Sequence, residues 1–207
     1  MPKIHYRNFQ KSDEAIIAKI INDTWQFSHY SNPETGMLAA KIYLLGSLAE
    51  ATFQQVCELD GEPVGIILCR SNRKRKDKLV NWVKYTLPMI ATGFRYMGAR
   101  DNRLLSEMDG NVSKTTHGLL QKSGLDFDGE LVFFAVNEKT RGLGIGKELY
   151  QRGVTYLKEA GVNRFYLFTD TRCNYGFYDH MGMTQVGEDQ LVLKEGEEPT
   201  IFYLYSS

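Results

Sequence analysis

Several features that would settle the class of this chain at once are missing from it. There is no surplus of charge: Lys plus Arg and Asp plus Glu number 25 each over 207 residues. No global field therefore draws the molecule to nucleic acid or anionic lipid, and neither is expected as a stable partner. There are three cysteines, Cys57, Cys69 and Cys173, and no C-x-x-C pair. An odd, scattered set is no disulfide framework and suits buried thiols in a reducing compartment, so a cytoplasmic location is expected. No long apolar run occurs either. The most hydrophobic stretch, 79–97, is broken by Lys84, Pro88, Gly93 and Arg95. Its uncharged piece, 85–94, falls well short of the roughly 18 residues of a spanning helix. The N-terminal MPKIHYRNFQKSD has no apolar core of a signal peptide. No cluster of His, Cys or Asp has metal-ligand spacing, and no metal is expected.

What is present reads as a globular fold: 43% hydrophobic and 24% charged residues, in a chain long enough for one domain with an insertion. KIHYRNF alternates and predicts a first strand. Ser12 or Asp13 is placed to cap the next helix, where Ala15, Ile16, Ala18, Ile20 and Ile21 recur with helical spacing. Asn32-Pro33 closes that unit, and ETGMLAAKIYLLGSLAE predicts a second helix. TFQQVCELDGEPVGIILCR predicts a hairpin about Asp60-Gly61. SNRKRKDK is a solvated basic run. The segment from there to about Asp128 is too long for a structureless loop. Its two helix-like patterns, with breaks at Pro88, Gly98 and Gly110, predict a helical insertion over 71–128. From Glu130 the order is strand, glycine turn, helix to about Ala160, a stop at Gly161, and the strand RFYLFTD. A short helix around NYGFYDH and a closing hairpin complete the chain.

The glycine turn, TRGLGIGKEL, lies between a strand and a helix, the usual place for a phosphate. A nucleoside-triphosphate loop needs four residues between its first glycine and Gly-Lys, then Ser or Thr for magnesium. Gly142 and Gly146 enclose three, and Glu148 follows Lys147. A dinucleotide fingerprint, G-x-G-x-x-G, fails at Lys147 or Leu149. The form Arg/Gln-x-x-Gly-x-Gly/Ala fits as it stands, with Arg141, Gly144 and Gly146. Missing side chains let backbone approach a diphosphate, and the first N–H groups of the helix point at it. A turn that only reverses the chain is the plainer alternative.

ELVFFAVNEKTRGLGIGKEL, followed some thirty residues on by GFYDHMGM, resembles the GNAT superfamily of acyl-CoA-dependent N-acyltransferases. The likeness is strong from about Glu130 to Met183, rests on element order over 1–70, and is absent over 71–128. It implies an α/β (α+β) fold in one domain, 1–207: a mixed central sheet of about seven strands with splayed fourth and fifth strands, flanking helices, and the insertion between the third and fourth. It implies acetyl-CoA as cofactor. Phe134, Ala135 and Val136 would meet its pantetheine arm, and Arg141, Gly142, Leu143, Gly144, Ile145, Gly146 and Lys147 its diphosphate. The family often has asparagine seven residues before its tyrosine; here that position is Thr171, with Asn174 nearer, and either can contact the cofactor.

The same resemblance assigns chemistry. Transfer to an amine needs a proton acceptor for the amine, a donor to the developing oxyanion and a proton for the departing thiolate. Glu130, at the head of the fourth strand, stands where several relatives carry the base, and partial desolvation would raise its pKa. Tyr178 falls on the family's tyrosine, the acid for the thiolate. A backbone N–H near Phe134 would serve the oxyanion. Cys173 is a weak candidate nucleophile, so direct transfer in a ternary complex is expected. Trp25, Phe27 and Tyr30 stand where the family shapes its acceptor pocket. The expected activity is N-acetylation of a primary amine on a small molecule. A protein or peptide acceptor and a non-catalytic acyl-CoA-binding regulator are the alternatives. The insertion, with its apolar Trp82, Phe94, Tyr96 and Met97, reads as a lid or wall over the acceptor, as a homodimer interface, or as a membrane-docking element.

Overall fold

Asp60 and Gly61 both adopt positive φ, 53° and 89°, which is what a two-residue hairpin turn matching the twist of its strands requires. They join β2 (Phe53–Leu59) to β3 (Glu62–Ser71) in the computed structural model, which describes residues 2–207 and, for 75–78, the backbone only. The remaining strands are β1 (Ile4–Arg7), β4 (Gly129–Val136), β5 (Phe165–Asp170), β6 (Thr184–Leu191) and β7 (Thr200–Ser206). All seven share one sheet in the order β1-β2-β3-β4-β5-β7-β6. Every adjacent pair is antiparallel except β4 with β5, which is parallel. The sheet is mixed and seven-stranded, as the resemblance implied.

Two layers of helix cover it. On one face lie α5 (Ile145–Glu159) and α6 (Gly176–His180), whose Leu149, Leu157 and Tyr178 pack with Ile67, Leu167 and Tyr205. On the other, α1 (Glu14–Trp25) and α2 (Pro33–Glu50) cover β2 to β4, with Ile17, Ile21 and Leu44 against Ile66 and Phe133. Beside them α4 (Arg103–Ser123) covers β7 and β6, through Leu105, Met108 and Leu119 against Phe202 and Leu204. The boundary between these helical groups falls over β4 and β5.

Between β3 and β4 the chain forms α3 (Arg75–Met97) and then α4. Pro88 does not break α3, contrary to the sequence pattern. It removes one backbone donor, at about 3 kcal/mol in an isolated helix. Tertiary packing overrides that cost: Tyr85 is buried and Met89 meets Gly46 of α2. Gly110 likewise sits inside α4, because glycine costs a helix only about 1 kcal/mol. Gly98 does end α3. Asn32 ties the insertion to the body. Its side-chain oxygen accepts from Thr35 N at 3.0 Å as the N-cap of α2, and its amide donates to Arg100 O at 3.0 Å. Arg73 and Lys74 of the basic run are exposed, while the side chains of 75–78 lie outside the described residues.

The predicted cap of α1 is filled differently. Asp13 occupies the N-cap position without a capping bond to the helix. Its carboxylate, 2% exposed, instead takes two bonds of 2.7 Å from the Arg7 guanidinium and one from Gln10 N. Arg7 also pairs with Glu58 of β2. A buried charge needs such a partner more than a helix end needs a cap. Among the described residues no helix is long and apolar enough to cross a membrane, and no group of three or more His, Cys, Asp and Glu side chains could hold a metal ion.

Candidate active site

The sheet opens at β4. Its register with β3 steps from Leu68↔Phe133 to Cys69↔Leu131, so Val132 is an extra residue, a β-bulge. The bulge re-aims the strand: Leu131 packs on the α5 side, whereas Val132 and Phe133 both turn to α1 and α2. Pairing with β5 consists of Gly129↔Phe165 and Glu130↔Tyr166. Beyond that point the facing edges of β4 and β5 have no ladder partner on this side among the described residues. Unpaired strand edges inside a sheet are costly unless something completes them. Phe134, Ala135 and Val136 lie along this opening. Phe134 and Val136 face α5, and Ala135 faces α2.

The glycine turn ends beside that opening. Gly142 and Gly144 adopt φ of 85° and 74°, where a side chain would be strained, and a Cβ at either would meet no protein atom. Gly144 is the N-cap of α5 and supplies no side-chain cap. Among the described residues the N–H groups of Gly144, Ile145, Gly146 and Lys147 have no protein acceptor. Four free donors at the positive end of a helix are an anion site in waiting. Leu143 is exposed, as are Arg141 and Lys147; Arg141 makes only a loose contact with Glu138 at 3.5 Å. Gly146 lies against Phe134 and Val136, its Cβ position 3.7 Å from Phe134 Cζ. Phe134 in turn meets Phe177 of α6, ring centroids 5.7 Å apart. Turn, strand edge and α6 are thus one continuous surface.

The opposite face carries a cluster of aromatic rings. Trp25 lies 5.5 Å from Phe133 and 6.2 Å from Tyr43, and Tyr43 lies 5.6 Å from Phe133 and 6.4 Å from Phe27. Tyr43 is 41% exposed, yet desolvation raises its pKa, with further contributions from Asp170, Glu130, Cys173 and Asp109. Tyr30 is outside this ring set. It is buried beside Arg172, whose guanidinium clasps the buried Asp170 at 2.8 and 3.0 Å.

Glu130 stands at the point where pairing stops. Its carboxylate is ion-paired with Arg70, directly opposite on β3, and interacts with the Tyr166 hydroxyl. Arg70 also binds Glu50 at 2.9 Å. Tyr178 is 8% exposed, packed among Phe177, Tyr150 and Tyr205. Burial, then Cys173, Tyr150, Tyr43 and Asp170, raise its pKa. Its phenol is therefore protonated throughout the neutral range. Burial also pushes Cys173 up to about 12, which keeps it a thiol.

Two candidate residues are otherwise engaged or peripheral. The Thr171 hydroxyl accepts from Ile201 N at 3.3 Å and Thr171 N donates to Ile201 O, so it is tied to β7. Asn174 is exposed at the start of the α6 turn, its carbonyl taking Phe177 N. Conversely, Tyr43, Phe133, Arg70 and Asp170 were not legible as site residues. Tyr43 is hidden in the apolar pattern of α2. Asp170, an acid at the end of an apolar strand, was the one signal available. On α3, Trp82, Phe94 and Met97 are exposed, and Tyr96 turns inward to bond Asn102 O at 2.9 Å.

Comparison with known proteins agrees with this architecture. Residues 117–183 match the model of the acetyltransferase (GNAT) family. No curated protein matches the chain. Among solved structures the chain is similar to Ard1 from Thermoplasma volcanium, with 14% identity, 99% of this chain and 96% of that one covered, and a TM-score of 0.58. YncA from Salmonella typhimurium, solved with its cofactor acetyl-CoA, gives 13%, 99%, 92% and 0.55. Arabidopsis thaliana Naa50, in complex with the bisubstrate analogue CoA-Ac-MVNAL, gives 17%, 99%, 97% and 0.51. At such identities these structures speak for the fold, and the family match falls on the segment that opens the sheet and carries the glycine turn. Residues 117–183 are thus similar to the acetyltransferase (GNAT) family, and the chain as a whole shares the fold of these structures.

Proposed function

We propose that this enzyme transfers the acetyl group of acetyl-CoA to the primary amine of a small molecule, by direct attack in a ternary complex. The observation that carries the reading is the juxtaposition, among the described residues, of two sets of backbone groups without protein partners: the N–H groups at the start of α5 and the facing edges of β4 and β5. An elongate ligand with a diphosphate at one end and amides along its arm satisfies both, and coenzyme A has that form. When bound, acetyl-CoA supplies an acyl group activated as a thioester.

The chain's own residues take the following parts. Gly142 to Lys147 would hold the diphosphate through backbone N–H groups, with Arg141 and Lys147 adding charge. The main chain of Phe134, Ala135 and Val136 would pair with the arm, and Asn174 would border it. Glu130, paired with Arg70 and beside the Tyr166 hydroxyl, would accept the amine's proton, through water where the acceptor is short. Tyr178, protonated because it is buried, would return a proton to the departing sulfur. Trp25, Phe27, Tyr43 and Phe133 would receive the acceptor's apolar part.

A peptide amine is the second reading, favoured by the accessibility of Tyr43. The test is thiol release from acetyl-CoA across polyamines, aminoglycosides, amino acids and peptides, preceded by thermal shift with acetyl-CoA, ATP and NAD. Stabilisation by acetyl-CoA alone and turnover with a small amine are the expected results. Turnover confined to peptides would move the assignment to the second reading. Absence of acetyl-CoA binding would end both.

A further inference from the structure

The helix α3 is apolar on two opposite sides. Its inner side packs Tyr85 and Met89 on the body. Of thirteen exposed large hydrophobic residues among those described, eight lie on α3, between 47% and 72% exposed. At about 200 Å² per large side chain they leave roughly 1,000 Å² of apolar surface on one helix. The largest patch on an ordinary monomer is about 300–600 Å², whereas a stable interface covers about 800 Å² on each partner.

The pattern on the outer side identifies the cover. Val80, Val83, Leu87, Ile90, Phe94 and Met97 follow one another at intervals of three, four, three, four and three, the a and d positions of a heptad repeat. A flat lipid surface needs no such narrow seam, but a second helix of the same spacing does. The sizes are also self-complementary. Reversing one copy about the midpoint between Leu87 and Ile90 sets Val80 against Met97, Val83 against Phe94, and Leu87 against Ile90. Each small side chain then meets a larger one, and the seam is evenly filled. In a parallel pair Phe94 would meet Phe94 and Val83 would meet Val83, too wide at one end and too narrow at the other. Gly93 and Ala91, beside the seam, leave room around Phe94, with no atom within 4 Å of a Cβ at Gly93. Opposed helix dipoles favour the same orientation.

We propose that two copies of this chain associate through α3, packed antiparallel about a two-fold axis that crosses the seam between Leu87 and Ile90. The surface is isologous, so the assembly closes as a dimer.

Light scattering on the full chain at tens of micromolar is expected to give the mass of a dimer, and the Leu87→Glu, Phe94→Glu double variant that of a monomer. Both positions are exposed, at 72% and 67%, so the variant keeps its fold, which an unchanged far-ultraviolet circular dichroism spectrum verifies. Val83→Cys combined with Phe94→Cys is expected to cross-link two chains on oxidation. Val83→Cys alone is not, since its two copies would stand about 16 Å apart along the axis at about 1.5 Å per residue. A monomeric parent chain overturns the proposal, as does a dimer that survives the double variant. Cross-linking by Val83→Cys alone overturns the antiparallel arrangement. Co-sedimentation of a monomer with phosphatidylserine vesicles, abolished by the double variant, would make lipid the occupant and equally overturn it.

Discussion

Glu130 pairs with Tyr166, and no residue after it in β4 pairs with β5. Two positions on, Val132 bulges out of the β3 ladder. One local irregularity therefore both ends the parallel pairing and sets the proposed base at the fork it creates. Arg70, directly opposite on β3, supplies the cation that pairs with this carboxylate.

For catalysis, Glu130→Gln is expected to lower kcat by roughly 10²–10⁴-fold with acetyl-CoA affinity retained. Tyr178→Phe is expected to lower kcat with little change in either KM. Because burial raises the Tyr178 pKa, the rate should show no alkaline loss assignable to it below about pH 10. Steady-state kinetics across pH check both, and parental rates in either variant would remove that residue from the mechanism.

At the cradle, Gly144→Ala puts a side chain at φ 74° in open space. The strain is about 1–2 kcal/mol, and the added methyl stands where a diphosphate would approach. Calorimetry should show acetyl-CoA binding weakened at least tenfold while the fold persists. Unaltered affinity would place the ligand elsewhere.

In the core, Gly153→Ala would bring Cβ within 2.7 Å of Ile67 Cδ1 and 2.9 Å of Cys69 Sγ. Overpacking of this kind costs about 1–3 kcal/mol. Gly110→Ala, with nothing within 4 Å and a helical backbone, should instead stabilise by about 0.5–1 kcal/mol. Urea denaturation of the two variants should move in opposite directions.

Acid stability should depend on Arg7. The guanidinium lowers the Glu58 pKa. This contribution is complete above the usual glutamate pKa of about 4.3 and is lost as pH falls through the lower folded value. Arg7→Met also strands Asp13, whose side chain is 2% exposed, at roughly 3 kcal/mol or more at neutral pH. The variant's stability should then fall less steeply with acid than the parent's. Parallel curves, followed by circular dichroism, would contradict the assignment.

Among the clustered rings, Trp25→Ala and Tyr43→Ala should raise the acceptor KM and leave acetyl-CoA binding unchanged. Equal loss of both ligands would show a structural role for the rings.

Local signals carried well. Asp60-Gly61 demanded a hairpin and formed one. The spacing Arg141, Gly144, Gly146 announced an uncapped helix start, because glycine at positive φ and free N–H groups are properties of a few consecutive residues. Pro88 and Gly110 misled for the converse reason. Their penalties are local and of a few kcal/mol, and packing against α2 and the sheet outweighs them.

By itself the sequence determined the order of elements, the turn at 141–147 and the positions of Glu130 and Tyr178 in the chain. Only the tertiary structure decided what surrounds them: Arg70 and Tyr166 on Glu130, Tyr43 and Phe133 in one ring cluster with Trp25, and an α3 whose apolar seam faces outward. Turn chemistry and periodicity act over a few residues, whereas these neighbours lie tens of residues apart and meet only when the sheet and its helices pack.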